Sequence, residues 1–200
     1  MNETRDRIDL PGRTAWCMAW ALLLFAASIG MAPGAHADPA FAIERISTEL
    51  EQGVYYVNAD FRIELNQRAD EALDNGVALT FVIQIHIQHH RLWLWNSVDA
   101  NLTERYRLRY YPLTERYRVA NLNSSAQQSY ATLSKALSAI SRVRHLPVID
   151  ATLLDADTAY YVAMRMVLDT KQLPGPLKIM ARIVPGWQLS SNWREVRLKP

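Results

Sequence analysis

Three histidines lie close together in one predicted strand, and imidazole nitrogens are common ligands of zinc and copper. They are His86, His89 and His90, within the segment QIHIQHHRLWLW. In a regular strand His86 and His90 share one face with their Cα atoms about 13 Å apart, and His89 points to the opposite face. Each ligating nitrogen must lie about 2 Å from the ion. The spacing therefore favours an ordinary polar strand face, with a metal or small-ligand site at these histidines as the alternative.

Two tryptophans, Trp93 and Trp95, follow the histidines, and Trp187 lies near the C-terminus. An exposed aromatic ring with a polar tip can anchor a protein partner or stack on a sugar. Large aromatic rings are more often buried at the edge of a core. We take Trp93, Trp95 and Trp187 as candidate partner contacts, with burial as the competing interpretation.

The hexapeptide LTERYR occurs twice, at Leu102–Arg107 and Leu113–Arg118. One interpretation is a basic, aromatic surface for a polyanion such as a phosphate-rich glycan. The other is cross-strand Glu–Arg and Tyr–Tyr pairing between two adjacent strands. The glutamates offset the arginine charge, and the pattern therefore favours the second, structural interpretation.

Catalytic signatures are missing from the sequence. It contains no nucleophile elbow, no zinc-protease motif and no glycine-rich phosphate loop. The aspartates between residues 150 and 169 have no partner at diagnostic spacing, and Ser190 and Ser191 have no histidine close in sequence. We therefore predict that the protein is not an enzyme and uses no cofactor.

The first 37 residues have the three parts of a secretory signal. A polar start with three arginines leads into the apolar run Ala15–Ile29, and Ala35-His36-Ala37 supplies a small-x-small cleavage pattern. As a helix, fifteen to seventeen residues span at most about 25 Å, which is short of the roughly 30 Å hydrocarbon core. We predict cleavage after Ala37 and a periplasmic location. The alternative is an inner-membrane anchor at residues 15–31, which would be the only membrane contact.

Composition excludes several classes of protein. The formal net charge of the 200-residue chain is +2, whereas dedicated nucleic-acid binders normally carry a strong basic excess. The single cysteine, Cys17, lies in the predicted signal, so the mature chain forms no disulfide and no thiolate metal site. Residues 38–200 are long enough for one domain without such staples.

Alternation of apolar and polar residues dominates the mature chain, as in half-buried strands. Asn66 can cap one short helix, and Ser124 or Ser125 a longer one. The pattern predicts a β-rich α+β fold: a single antiparallel β-sandwich-like domain at residues 38–200, with about seven strands and two or three short helices. The predicted strands are 41–50, 54–65, 77–88, 98–110, 116–122, 159–168 and 194–199, and the predicted helices are 68–74, 126–143 and 177–183.

Four stretches of the chain have the pattern of a known family. They are ALDNGVALTF (72–81), LRYYPLTERYRV (108–119), LDTKQLPGPLKIMARI (168–183) and GWQLSSNWREV (186–196). Together they resemble a family of exported bacterial proteins, the domain of unknown function DUF4390. Its most specific parts are the LP-x-PL and W-x-L-S-S-x-W patterns. The resemblance implies export and one domain, but it implies no activity and no site residues.

Genes of this family often lie beside a nitrogen-type sensor kinase, which implies a link to envelope signalling. The histidines are not part of the family pattern, which favours arginine and aromatic residues, as in Arg91-Leu92-Trp93. We therefore expect a non-enzymatic module that binds an envelope protein, such as a sensor kinase, by strand addition or face-on docking. The alternative is a periplasmic protein that binds a small ligand or a metal through His86, His89 and His90.

Overall fold

Antiparallel strands account for most of the chain in the computed structural model, which describes residues 40–91, 94–184 and 186–199 and, between residues 90 and 98, the backbone alone. The predicted signal and Cys17 lie outside these residues. No helix within the described ranges is long and apolar enough to cross a bilayer. The strands are β1 (Phe41–Glu51), β2 (Val54–Ile63), β3 (Leu79–Arg91), β4 (Leu94–Tyr111), β5 (Arg116–Asn121), β6 (Gln127–Tyr130), β7 (Arg142–Asp150), β8 (Tyr160–Leu168) and β9 (Arg194–Arg197), and the helices are α1 (Gln67–Asp74), α2 (Leu133–Ile140) and α3 (Gly175–Ile183).

The strands form two sheets whose apolar faces enclose the core. The small sheet has the order β1-β2-β7, and the large sheet has the order β6-β5-β4-β3-β8-β9. Alternate residues of β2, and of β3 between Ile83 and Gln88, are buried, as period two requires. Phe41 of β1 meets Phe81 of β3 with ring centroids 5.8 Å apart, so the two sheets are in direct contact. The predicted β-rich, sandwich-like α+β fold is confirmed.

Local sequence signals account for the ends of two helices. The side chain of Asn66 accepts a hydrogen bond from the amide of Ala69 and so caps α1, as predicted. Gly76 follows α1 with φ +75°, a left-handed conformation that glycine adopts without strain. Pro176 lies in the first turn of α3, where its missing amide hydrogen costs nothing.

The predicted helix at 126–143 is wrong in length and in its cap. Gln127–Tyr130 forms the edge strand β6, and only Leu133–Ile140 is helical. Thr132, not Ser124 or Ser125, caps this helix, because Ser125 lies in the turn before β6 with φ +61°. The predicted helix therefore overlaps the two strands that flank it, β6 and β7. One of them, β7, was missed altogether because Pro147 and two register shifts interrupt its pattern.

Candidate functional site at the β3–β4 hairpin

The histidines do not converge on one point. His86 and His89 point to opposite faces of β3, as the strand period predicts, and the side chain of His90 lies outside the described residues. The ring of His86 lies against Trp193, with centroids 4.4 Å apart. The Nδ1 atom of His89 lies 2.7 Å from an oxygen of Asp99. The two described histidines therefore have separate partners, and they do not form a common metal site.

His86 lines a groove of about 460 Å³ on the outer face of the large sheet. Gln88, which donates a 2.8 Å hydrogen bond to Glu195, lines the same groove. Burial lowers the pKa of His86 below its ordinary value of 6.5. The imidazole is therefore neutral at pH 7 and can both donate and accept a hydrogen bond there.

A different group of side chains in the described residues could hold a metal ion. Ligand atoms of Glu49, Glu51 and His145 all lie within 4.8 Å of one another, and Tyr56 stacks on the His145 ring at 3.9 Å. All three ligand residues are exposed, and hydrated surface carboxylates commonly occur without an ion. This group does not include any of the histidines at 86, 89 and 90.

Of the three candidate tryptophans, Trp187 is the one whose side chain the structure describes. Trp93 and the side chain of Trp95 lie outside the described residues. Trp187 is only 4 % exposed and lies with Leu177 at the junction of α1 and α3, so it belongs to the core and offers no free ring to a partner. The exposed ring of this C-terminal segment is Trp193, at 42 %.

The two tyrosines of the LTERYR repeat do not lie opposite each other across strands β4 and β5. Tyr117 of the second copy lies opposite Tyr110, which follows the first copy, and their ring centroids are 4.7 Å apart. Tyr106 of the first copy lies opposite Asn121 instead. The turn at residues 112–115 fixes this register because it joins β4 directly to β5.

The predicted Glu–Arg pairing in the repeat is wrong. Glu104 accepts a hydrogen bond from the side chain of Asn121, and Arg109 lies directly opposite Arg118. Both arginines are exposed on the outer face of the large sheet. Like charges placed opposite each other destabilise a sheet, so this register has a cost that the structural interpretation of the repeat does not explain.

Strand β4 is much longer than β5, the strand that follows it in the chain and pairs with it. It has 18 residues, but β5 pairs only with Tyr106–Tyr111. Over Leu94–Leu102 it pairs with β3 alone, and no other strand of the described chain lies along its second side. We call Leu94–Leu102 the open edge. Its unpaired backbone amides and carbonyls are a template for an added strand.

A single side chain forms the boundary of the open edge. The Asn123 side-chain oxygen accepts from the backbone amide of Arg105 at 2.9 Å, and its side-chain nitrogen donates to the Thr103 carbonyl at 2.7 Å. The amide of Leu122 donates to the Arg105 carbonyl. Asn123 therefore continues the ladder for two residues beyond β5. Sequence reasoning missed this role, although asparagines commonly satisfy backbone groups in turns.

No curated protein and no solved structure matches the chain at a significant level. The pattern of a domain of unknown function, DUF4390, matches residues 38–197. The match covers all the strands and helices described above, and it begins at the residue that would follow the predicted cleavage. The chain therefore belongs to the DUF4390 family.

Proposed function

We propose that this domain is a non-enzymatic module of the bacterial envelope that binds an extended segment of a partner protein along the open edge of β4. The observation that carries the proposal is the nine-residue length of Leu94–Leu102, beside which the described chain places no second strand. A strand added there would gain main-chain hydrogen bonds. The secretory signal pattern and the genomic neighbours of the family make an envelope sensor kinase the first partner to test.

The other sheet edges are less suited to strand addition. Strands β6 and β9 have four residues each. In β7, Pro147 and two register shifts interrupt the ladder. The Arg194 side chain covers part of β1, because it donates to the carbonyls of Ile43 and Glu44. Short, bulged and covered edges resist pairing with other chains. The ladder of the open edge with β3 also shifts register twice, between Ala100 and Val98 and between Ser97 and Leu94. However, the open edge has nine residues, against four each in β6 and β9, and it contains no proline.

The direction of the backbone groups identifies a residue for the test. Thr103 and Arg105 both point their main-chain groups away from β3, toward Asn123. Backbone direction alternates along a strand, so the amide of Asn101 points to the same open side. Proline at position 101 would remove this outward donor and would keep the hydrogen bonds to β3. Alanine at 101 keeps the donor and is the matched control.

The experiment is a crosslinking pull-down of the tagged full-length chain from intact cells, with mass spectrometry of the captured proteins. We expect one envelope protein to be recovered with the parent and with Asn101→Ala. Asn101→Pro should recover at least about tenfold less, because it loses a hydrogen bond and adds a clash at the interface. Circular dichroism of the purified variants checks that both are folded.

Two results would contradict the proposal. If Asn101→Pro captures the same protein as well as the parent does, the partner does not bind along this edge. If no envelope protein is enriched above a control bait, the domain is not a protein-binding module under these conditions. The small-ligand hypothesis would then gain weight, with the groove at His86 and Trp193 as the first place to examine.

A further inference from the structure

Three arginines face a single groove on the outer face of the large sheet, beside the part of β4 that pairs with β5. Arg107 and Arg109 come from β4 and Arg118 from β5, and the groove has a volume of about 370 Å³. Gln127 and Gln172 also line it, and no carboxylate is found among its lining residues in the described chain. We call it the arginine groove.

The arginines converge without the charge compensation that is usual on a protein surface. Arg109 lies directly opposite Arg118, which places two cations about 5 Å apart at their Cβ atoms. The arginines of two ion pairs, Arg62–Glu64 and Arg144–Asp60, lie on the small sheet and not in this groove. An anion bound in the groove would supply the missing negative charge.

Neighbouring groups hold two of the guanidinium groups in place. The Cζ atoms of Arg109 and Arg118 lie 5.3 Å and 4.5 Å from the centroid of the Tyr111 ring. The Nε of Arg109 also donates to the carbonyl of Gly76 at 3.0 Å. A guanidinium has five N–H donors, so both groups keep donors for a ligand after these contacts. The site therefore needs little reorganisation to bind an anion.

We propose that the arginine groove binds a ligand that carries phosphoryl groups. Three forked donors match the several oxygens of a phosphoryl group better than the two of a single carboxylate. The groove is larger than one phosphate ion, and the amides of Gln127 and Gln172 can bind hydroxyl groups of an attached sugar or glycerol. The chemistry fits two sources: a soluble phosphorylated molecule, or the headgroup of an anionic lipid. This site is separate from the open edge and does not depend on partner capture.

Calorimetric titration of the full chain with inorganic pyrophosphate is the first test. We expect binding that weakens as salt is added, because the attraction is electrostatic. The double variant Arg109→Gln/Arg118→Gln should bind at least about tenfold more weakly. The matched control is Arg105→Gln, which removes the same charge from the same face of β4 just outside the groove. It should change the affinity by less than about threefold.

Flotation with vesicles of phosphatidylglycerol, compared with phosphatidylcholine, separates the two sources. Binding of pyrophosphate alone would assign a soluble ligand, and selective binding of phosphatidylglycerol vesicles that the double variant loses would assign the lipid headgroup. The double variant should melt within about 3 °C of the parent, since it loses contacts with Tyr111 but also relieves the like-charge pair. Failure of both probes, or an equal loss with Arg105→Gln, would overturn the proposal. Neither result depends on the pull-down with Asn101→Pro.

Discussion

The two ends of β4 differ in how much of the strand is paired. At Tyr106–Leu108 the strand pairs with both β3 and β5, and at Arg109–Tyr111, next to the turn, it pairs with β5. At Leu94–Leu102 it pairs with β3 alone. We call Tyr106–Tyr111 the root and Leu94–Leu102, which carries the open edge, the arm. One strand thus offers two kinds of recognition: charged side chains at the root, and free backbone groups at the arm.

The largest expected difference between root and arm is in packing energy. Leu108 in the root is fully buried, and Leu102 at the end of the arm is only partly buried against the core. Leu108→Ala should lower the free energy of unfolding by about 2–5 kcal/mol because it leaves a cavity in a closed core. Leu102→Ala should cost about 1–2 kcal/mol, since less apolar area leaves water there. Urea unfolding followed by circular dichroism measures both, and equal losses would mean that the arm is packed as firmly as the root.

A smaller effect concerns the tyrosine pair at the root. Tyr110 and Tyr117 should be coupled by about 0.5–1.5 kcal/mol in a double-mutant cycle with alanine, because their rings are in direct contact. The same cycle on Tyr106 and Tyr117, the pair that the repeat suggested, should give a coupling near zero. These two residues are offset by four positions in the observed register, about 13 Å along the strand. Coupling of Tyr106 with Tyr117 would show that the register of β4 and β5 follows the repeat after all.

Asn123 marks the boundary between root and arm and should have a local effect. Asn123→Ala removes the side-chain partners of the Arg105 amide and the Thr103 carbonyl. Because these hydrogen bonds are exposed, the free energy of unfolding should fall by only about 1 kcal/mol. Hydrogen exchange at the Arg105 amide should become markedly faster, and the Arg107 amide within the root serves as the internal control. An unchanged rate at Arg105 would mean that Asn123 does not limit opening of this part of the strand.

Much of this architecture could be predicted from sequence because it depends on local alternation. Strand β2 alternates cleanly, β8 is a short apolar run and Asn66 is a strong helix cap, so the positions of these elements agree closely with the prediction. The pattern fails in β6 and β7, where polar residues and Pro147 hide the alternation. A local pattern identifies a strand, but it does not say how far that strand is paired.

The candidate sites were harder to predict because they depend on register and strand length. The repeat suggested that its own copies pair, yet the turn at residues 112–115 shifts the register and sets Arg109 against Arg118. The open edge exists because β5 ends at Asn121, opposite Tyr106, whereas β4 begins twelve residues before Tyr106, at Leu94. Three histidines within five residues suggested a metal site, but His86 and His89 lie on opposite faces of β3.

The smallest predicted effect concerns His86, which lies opposite Asn101 of the arm on the outer face of the sheet. Burial, with the ring against Trp193, lowers its pKa below 6.5 in the folded protein. As the pH falls, the unfolded chain therefore takes up this proton first, near pH 6.5. His86 thus contributes stability above pH 6.5, and that contribution is lost as the pH falls through the lower pKa of the folded state. Between pH 8 and pH 5 the parent should lose more stability than His86→Gln, as measured by urea unfolding at each pH. Identical pH profiles would mean that the imidazole is solvated in the fold as it is in the unfolded chain. In that case water would contact the outer face of the arm as well as its unpaired edge.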